Sequence, residues 1–469
     1  MYKTIIKYLF SILLFLFLLT ALSIPYAMFT PQSPLVQGVQ SNRILIHNIK
    51  ILSRDFDRLL KDRSIIIEDG IIQESPVSEN FIQQDFDLII DGNNQFLMPG
   101  LTDAHTHIYD RTDLLLNLAH GVTQVRVMHG LALQLNLREE IQSGDTLGPN
   151  MLVASPAINQ RSSYAASEFH TFIENEEDTK GLIDTYKSHG YDLIKIYDGL
   201  DNNNFQAILS AANKLEIPVA GHPPFAVNTS DLLSSGMQSV EHIEMLYQAP
   251  LNYSRDKQDL DHLIQQLKQS PVPITTTLIV YEELARIAEL KSKYLATKQM
   301  EYIPPIIKSI FEPGIQNIMT DSAPESWRSK ADYLGIIAKS LYEADVPMLL
   351  GSDAGANYTI NGLGAIQEMQ LLHHYGVDPK DILKSATITP AIAFKLHNSG
   401  TVAPGHKANL ILTKSDPRKD LGTFMDLQGL IKDGVYFDEK AIKQMKLKSK
   451  THMSSYEFLG WYLINWWQE

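Results

Sequence analysis

The sequence predicts an α/β protein built on a (β/α)8 barrel of the TIM type, with a small composite β-sandwich domain supplied by both flanks of the barrel. Three observations carry this. Eight short β-rich runs recur between residues 97 and 353, and helical periodicity fills most of the intervals between them. Further β-rich segments stand on either side, at 43–98 and 400–436, and neither is long enough to hold a core alone. The 469 residues, 44% hydrophobic and 20% charged, have apolar content enough to exclude general disorder.

Each element follows in chain order. Lys3 and Lys7 precede an uncharged apolar run over residues 8–29, which meets the length of about 20 residues that spans a bilayer. Residues 1–32 are therefore expected to be a membrane anchor, with the flanking lysines leaving the body outside the cytoplasm. Ala21-Leu22-Ser23 keeps a cleaved signal segment open, and with it a secreted or periplasmic body. Residues 33–98 form the first part of the β-domain, with hairpin strands at 44–49 and 64–70. The barrel covers 99–395, its strands placed at 97–105, 121–127, 150–155, 191–197, 217–222, 238–242, 273–277 and 346–353. The interval 278–346 exceeds what one helix requires and reads as a helical insertion over the barrel mouth. Residues 396–439 return the second part of the β-domain, with strands at 409–412 and 430–436. The tail, 440–469, has five lysines by Lys450 and three of the chain's four tryptophans in its last nine residues. It suits either docking on the body or contact with a membrane surface.

A net charge of −14, from 54 acidic and 40 basic residues, argues against a nucleic-acid partner. The absence of cysteine excludes disulfides, thiolate metal sites and cysteine nucleophiles together. A metal would have nitrogen and oxygen ligands, which the 15 histidines make feasible.

The chemistry-bearing residues lie at the predicted strand ends. His105 and His107 are two apart on the first strand, so both imidazoles share a face and can meet one ion. They close the segment FLMPGLTDAHTH (96–107), which closely resembles the first-strand signature of the amidohydrolase superfamily. ATITP (386–390) and GTVAPGHKANLIL (400–412) resemble that family's terminal helix and return strand. The resemblance spans about residues 43–436.

It implies the remaining ligands one at a time. The family's strand-five histidine falls on His222, its strand-six histidine on His242, and its strand-eight aspartate on Asp353. Lys195, flanked by apolar residues at the end of strand four, matches the lysine that binuclear members carboxylate with CO2. A lysine inside a barrel is costly unless paired or modified; an ion pair with Asp198 is the plainer reading. The implied site has two divalent metals, zinc first, with Mn, Co or Fe as alternatives. His105, His107 and Asp353 would hold one, His222 and His242 the other, with the Lys195 carbamate and a hydroxide between. The hydroxide would attack a carbonyl, and Asp353 would carry the proton to the leaving group.

Deaminases of the superfamily carry a glutamate shortly after the strand-five histidine, whereas here His222 is followed by Pro223-Pro224-Phe225-Ala226. Together with Lys195 this resembles the imidazolonepropionase-related and Xaa-Pro dipeptidase-like branch, which cleaves amide, peptide or cyclic amide C–N bonds. Deaminase chemistry, lactone or ester hydrolysis, and a catalytically dead binding scaffold are the alternatives. Tyr197 and His129 are the substrate-binding candidates. His120, His170, His189, His373 and His374 read as surface or packing residues. The substrate is a small molecule; oligomeric state is left open.

Overall fold

The computed structural model describes residues 36–74, 85–161, 169–321 and 323–453, with scattered positions among the first 22 and Gly460. Eight parallel strands close into a barrel: Leu101–Thr106, Val122–Val127, Asn150–Val153, Ile194–Ile196, Val219–Gly221, Ser239–Val240, Ile274–Thr275 and Met348–Leu349. Pairing follows chain order within strands one to three and four to eight. The parallel bridges Ala154↔Leu193 and Thr106↔Ala354 join these two halves. The first two strands, LTDAHT and VTQVRV, are buried at every position although half or more of their residues are polar, so their polar side chains need partners inside the barrel. The strands match the sequence expectation in number and order and are shorter; His105 and Lys195 lie within strands one and four, while His107, His222, His242 and Asp353 lie just beyond strand ends.

The predicted insertion is helical. It comprises Leu278–Leu290, Ser292–Thr297, Pro305–Thr320 and Pro324–Glu343, with a 3-10 turn at Met300–Tyr302. Val280, Leu284, Ile287, Ile303 and Ile307 pack in one apolar cluster with Leu116, Ile360 and Leu363 from outside the insertion. Its first helix has no side-chain cap from its own cap residue, Thr277. Instead the buried Glu368 carboxylate accepts from Leu278 N (3.0 Å) and Ile279 N (2.6 Å), satisfying two otherwise orphaned donors.

Burial raises the Glu368 carboxyl from 4.5 to about 7, against the bonds from Thr276 and the two amides, which lower it. A group whose pKa rises on folding adds stability that is complete below its unfolded pKa and is lost as pH climbs through the folded one. Urea unfolding should therefore show wild type losing stability between about pH 5 and about pH 8, with Glu368→Gln losing less across that window. Parallel pH profiles for the two proteins would contradict this.

The flanking segments form one eight-stranded sheet, ordered Val39–Gln40, Val435–Asp438, Gly429–Lys432, Leu410–Thr413, Leu88–Pro99, Arg43–Leu52, Leu59–Glu68 and Ile71–Glu74. Strands from both flanks thus interleave, as expected. The sandwich expectation needs correction, because the sheet is continuous. It curls instead: Ile71 bridges to Lys407, and Ile72 N donates to His406 O at 2.8 Å. Curling lets Ile44, Ile46, Ile65, Ile67, Leu410 and Leu412 bury one apolar face within the same sheet.

The membrane-anchored placement is also corrected. Among the described residues no helix is long and apolar enough to cross a membrane, and a body anchored outside the cytoplasm is unsupported. The apolar run 8–29 itself falls largely outside the described residues. At the other end, Glu439–Lys448 is a helix that buries Ala441, Ile442 and Met445. Beyond it Thr112 Oγ1 meets His452 Nδ1 at 2.9 Å, and Met453 N donates to Asp110 at 2.9 Å. The start of the tail therefore docks on the barrel, while its tryptophans lie outside the described residues.

Candidate active site

The strand ends and the turns that follow them gather the titratable residues. His105 and His107 leave strand one on the same face. Nε2 of His107 lies 2.9 Å from Asp353 Oδ1, and Nε2 of His105 lies 3.5 Å from the same oxygen. These three side chains place one ligand atom each within 4.8 Å of one another. Asp353 is fixed from behind, its backbone N donating to His105 O at 2.7 Å.

Strain accompanies this convergence. His242, Thr277 and Asp353 have φ of 68°, 61° and 51°, a region that costs a non-glycine residue about 1–3 kcal/mol. Tertiary bonds hold it in place, among them His242 Nδ1 to Thr277 Oγ1 at 2.8 Å. The rings of His242 and His105 are 4.4 Å apart, and those of His242 and His222 are 4.8 Å apart. Burial holds His105, His222 and His242 well below the usual imidazole range, so each presents a neutral ring with one lone pair.

Lys195 is 2% exposed and lines the same cavity as all four histidines and Asp353. Burial brings its ammonium down to about 8, the charges of Glu241 and Asp353 opposing the fall. Strand five can approach strand four this closely only through glycine. Gly221 has φ +150°, and a Cβ there would sit 2.1 Å from Ile196 O. That contact sets His222 beside Lys195.

Beneath the histidines is a buried ion pair that sequence reasoning missed. His105 Nδ1 donates to Glu241 Oε2 at 2.7 Å, and Arg126 donates to Glu241 Oε1 at 2.6 Å. Both members are fully buried. Burial would raise the Glu241 carboxyl, but the charges of Arg126 and Lys195 prevail and hold it below its usual range. A carboxylate on Nδ1 fixes the tautomer and leaves Nε2 bare for a ligand.

Tyr197 and His129 both line the cavity. The Tyr197 ring stacks on His222 at 4.0 Å and lies 4.4 Å from His170. His129 Nδ1 accepts from Ala157 N at 3.3 Å, which puts its proton on Nε2; that atom is buried without a partner. His170 also lines the cavity, correcting its assignment as an ordinary surface or packing residue. His120 is a packing residue as expected, its ring bonded to Leu116 O at 2.9 Å.

The residues fit divalent metal. Three N and O donors converge, neutral imidazoles stand beside them, and the buried Nδ1 atoms of His107 and His222 have no protein partner. His222 and His242 line the cavity but stand outside the three-ligand group.

Comparison with known proteins agrees with this chemistry. The family model described as Amidohydrolase family matches residues 322–444, a stretch that contains Asp353. The chain is 22% identical to 5'-deoxyadenosine deaminase of Methanosphaera stadtmanae over 400 residues, covering 80% of this chain and 85% of that one. It is also 22% identical to 5-methylthioadenosine/S-adenosylhomocysteine deaminase of Dictyoglomus turgidum, over 85% and 94% of the two chains. Among solved structures, bottromycin amidohydrolase superposes with TM-score 0.72 at 21% identity, over 92% of this chain and 93% of that one. A Xaa-Pro dipeptidase with bound methionine superposes with TM-score 0.66 at 19% identity, over 84% and 100%.

Residues 322–444 thus match the Amidohydrolase family model, and the solved neighbours share the fold over most of the chain. The family match and the names of the curated relatives support an enzyme acting on carbon–nitrogen bonds. Members of the matched family generally bind divalent metals, and the His105–His107–Asp353 group is where this chain could hold one.

Proposed function

We propose that the enzyme hydrolyses an amide-type C–N bond at a binuclear centre held by His105, His107, Asp353, His222, His242 and a carboxylated Lys195. The observation that carries this is Lys195, buried in the same cavity as the four histidines and Asp353, where a carbamate on its nitrogen would present oxygen ligands. Divalent metal bound there supplies Lewis acidity toward a carbonyl and an acidified water. The chain's own residues do the rest. Asp353, facing both His105 and His107, is placed to take a proton from the attacking water and return it to the departing nitrogen. His129 offers the unpartnered Nε2–H to the substrate carbonyl. The insertion helices Leu278–Leu290 and Pro305–Thr320 add apolar residues to the lining of this cavity.

Zinc is the first choice of metal for this donor set. Metal analysis of the purified enzyme is expected to give two ions per chain. Native mass spectrometry of the intact enzyme should show the added mass of CO2, lost on acidification and absent from Lys195→Ala. One ion per chain with unmodified Lys195 would overturn the binuclear reading.

A deaminase is the second reading, favoured by the names of the curated relatives. Against it stand Lys195 and the Pro223-Pro224 that follow His222 where a glutamate would be needed. Ammonia release from 5'-deoxyadenosine, with no cleavage of acyl amides, would establish it.

A further inference from the structure

The four imidazoles of the cluster are not held in the same way. His105 is aimed by Nδ1 to Glu241 at 2.7 Å, His242 by Nδ1 to Thr277 at 2.8 Å, and His107 by Nε2 to Asp353 at 2.9 Å. Among the described residues the His222 ring alone of the four makes no hydrogen bond, and its Nδ1 is buried without a partner. A ligand imidazole is ordinarily oriented by such a bond, and the χ2 torsion of histidine has only a broad preference of its own. What meets the His222 ring instead is aromatic. The Tyr197 ring lies over it, with centroids 4.0 Å apart and planes 26° apart, and His242 meets it edge-on at 4.8 Å and 87°. Carbon atoms meet best at about 3.5–4.0 Å, so the stacked ring leaves His222 no space to turn.

Tyr197 is itself backed. The His170 ring lies 4.4 Å from it, tilted by 49°. His170 is fixed in turn by Asn159, which is 0% exposed. Asn159 Oδ1 accepts from Gln160 N at 2.9 Å and from Gly199 N at 3.1 Å, so Nδ2 is the atom that faces His170 Nδ1, at 3.2 Å. Two backbone donors thus set the amide, and the amide sets the imidazole: His170 Nδ1 accepts and its proton sits on Nε2. From the same short strand, Ile158–Asn159, Ile158 O accepts from Tyr197 N at 3.0 Å. Support therefore runs from this strand through Asn159, His170 and Tyr197 to the face of His222. The last contact is made by ring faces and does not use the phenol hydroxyl.

We infer that Tyr197 is a positioning residue for His222, holding that imidazole toward the second metal by stacking where the other three histidines use hydrogen bonds, and that His170 acts through Tyr197. This rests on the binuclear reading and adds to it the residues that support the His222 side of the site.

The test is zinc binding by the full-length enzyme, stripped of metal and titrated against a chromophoric chelator in bicarbonate buffer. Wild type is expected to show two affinities. Tyr197→Leu should weaken one of them by about three- to tenfold, the scale of a single aromatic contact, and leave the other within about twofold. Tyr197→Phe, which keeps the ring, should match wild type. His170→Leu should weaken the same ion by a smaller factor, and that loss should vanish when Tyr197 is already leucine, the non-additivity of residues that act in series. Should Tyr197→Leu fail to fold, His170→Leu, at a half-buried position, carries the test together with Tyr197→Phe.

Unchanged affinities in Tyr197→Leu or in His170→Leu would overturn the inference. So would a loss in Tyr197→Phe as large as that in Tyr197→Leu, or a His170→Leu loss that persists in the double variant. The binuclear reading fails in a different way. A wild type that takes up one zinc per chain removes that reading and this role with it, whereas two zincs with indifferent Tyr197 variants remove this role alone.

Discussion

Asp353→Asn is expected to lower kcat by about 10²–10⁴-fold, the range that positioned proton transfer contributes, while leaving metal in the site. The carboxylate is placed for this by its surroundings. Burial alone would raise its pKa, but the hydrogen bond from His107 leads the interactions that hold it below 3.8. It is therefore ionised and ready to accept a proton. Asparagine keeps the shape and one oxygen facing His107, so a metal held also by His105 and His107 should stay. The measurement is kcat beside metal content on the same preparation. More than about a tenth of wild-type kcat with full metal occupancy would remove Asp353 from the proton pathway. Loss of metal in parallel with activity would reduce it to a ligand.

Much of the barrel and its cluster was legible in the sequence, for a physical reason. Barrel strands buried on both faces are short apolar runs, and catalytic groups of such barrels sit at strand C-termini. His105 and His107 stand at the end of strand one, and His222, His242 and Asp353 just past the ends of strands five, six and eight. Lys195 stood out because a lysine between Ile194 and Ile196 contradicts its neighbours. What stayed hidden depends on contacts between distant segments. Arg126 meets Glu241 across 115 positions, and neither residue has a local spacing that announces the other. His170 reaches the cavity through two-residue strands, Ile158–Asn159 and Thr171–Phe172, too short to produce a periodic signal. The single curled sheet was read as a sandwich because alternation along a strand tells which face is buried, not whether another sheet or the same one covers it.

The insertion marks another boundary of sequence reading. Its length and helical pattern were visible, but its apolar residues would look the same whether they packed on the barrel wall or over the mouth. Ile307 and Leu284 do both, packing with Leu116, Ile360 and Leu363 from outside the insertion while lining the cavity. Stability and the shape of the cavity are therefore coupled there.

The second large effect concerns the hidden ion pair. Glu241→Leu leaves the Arg126 guanidinium, 0% exposed, without its counter-charge, and removal of one partner from a buried pair costs about 3–5 kcal/mol. It also strips His105 Nδ1 of its acceptor, and loss of such a partner lowers metal affinity by about 10–100-fold. The two effects can be separated because they have different remedies. Adding Arg126→Met removes the stranded charge, and the new side chain can pack against the Phe394 ring that Arg126 now covers at 4.3 Å. Stability in the double variant should recover by a few kcal/mol, whereas metal affinity should stay as low as in Glu241→Leu. Denaturant unfolding and competitive chelation on the two variants decide the matter. If affinity returns together with stability, the ion pair is a structural strut. If only stability returns, Glu241 is the residue that orients His105 toward the metal, and Arg126 is what keeps Glu241 ionised in the barrel interior.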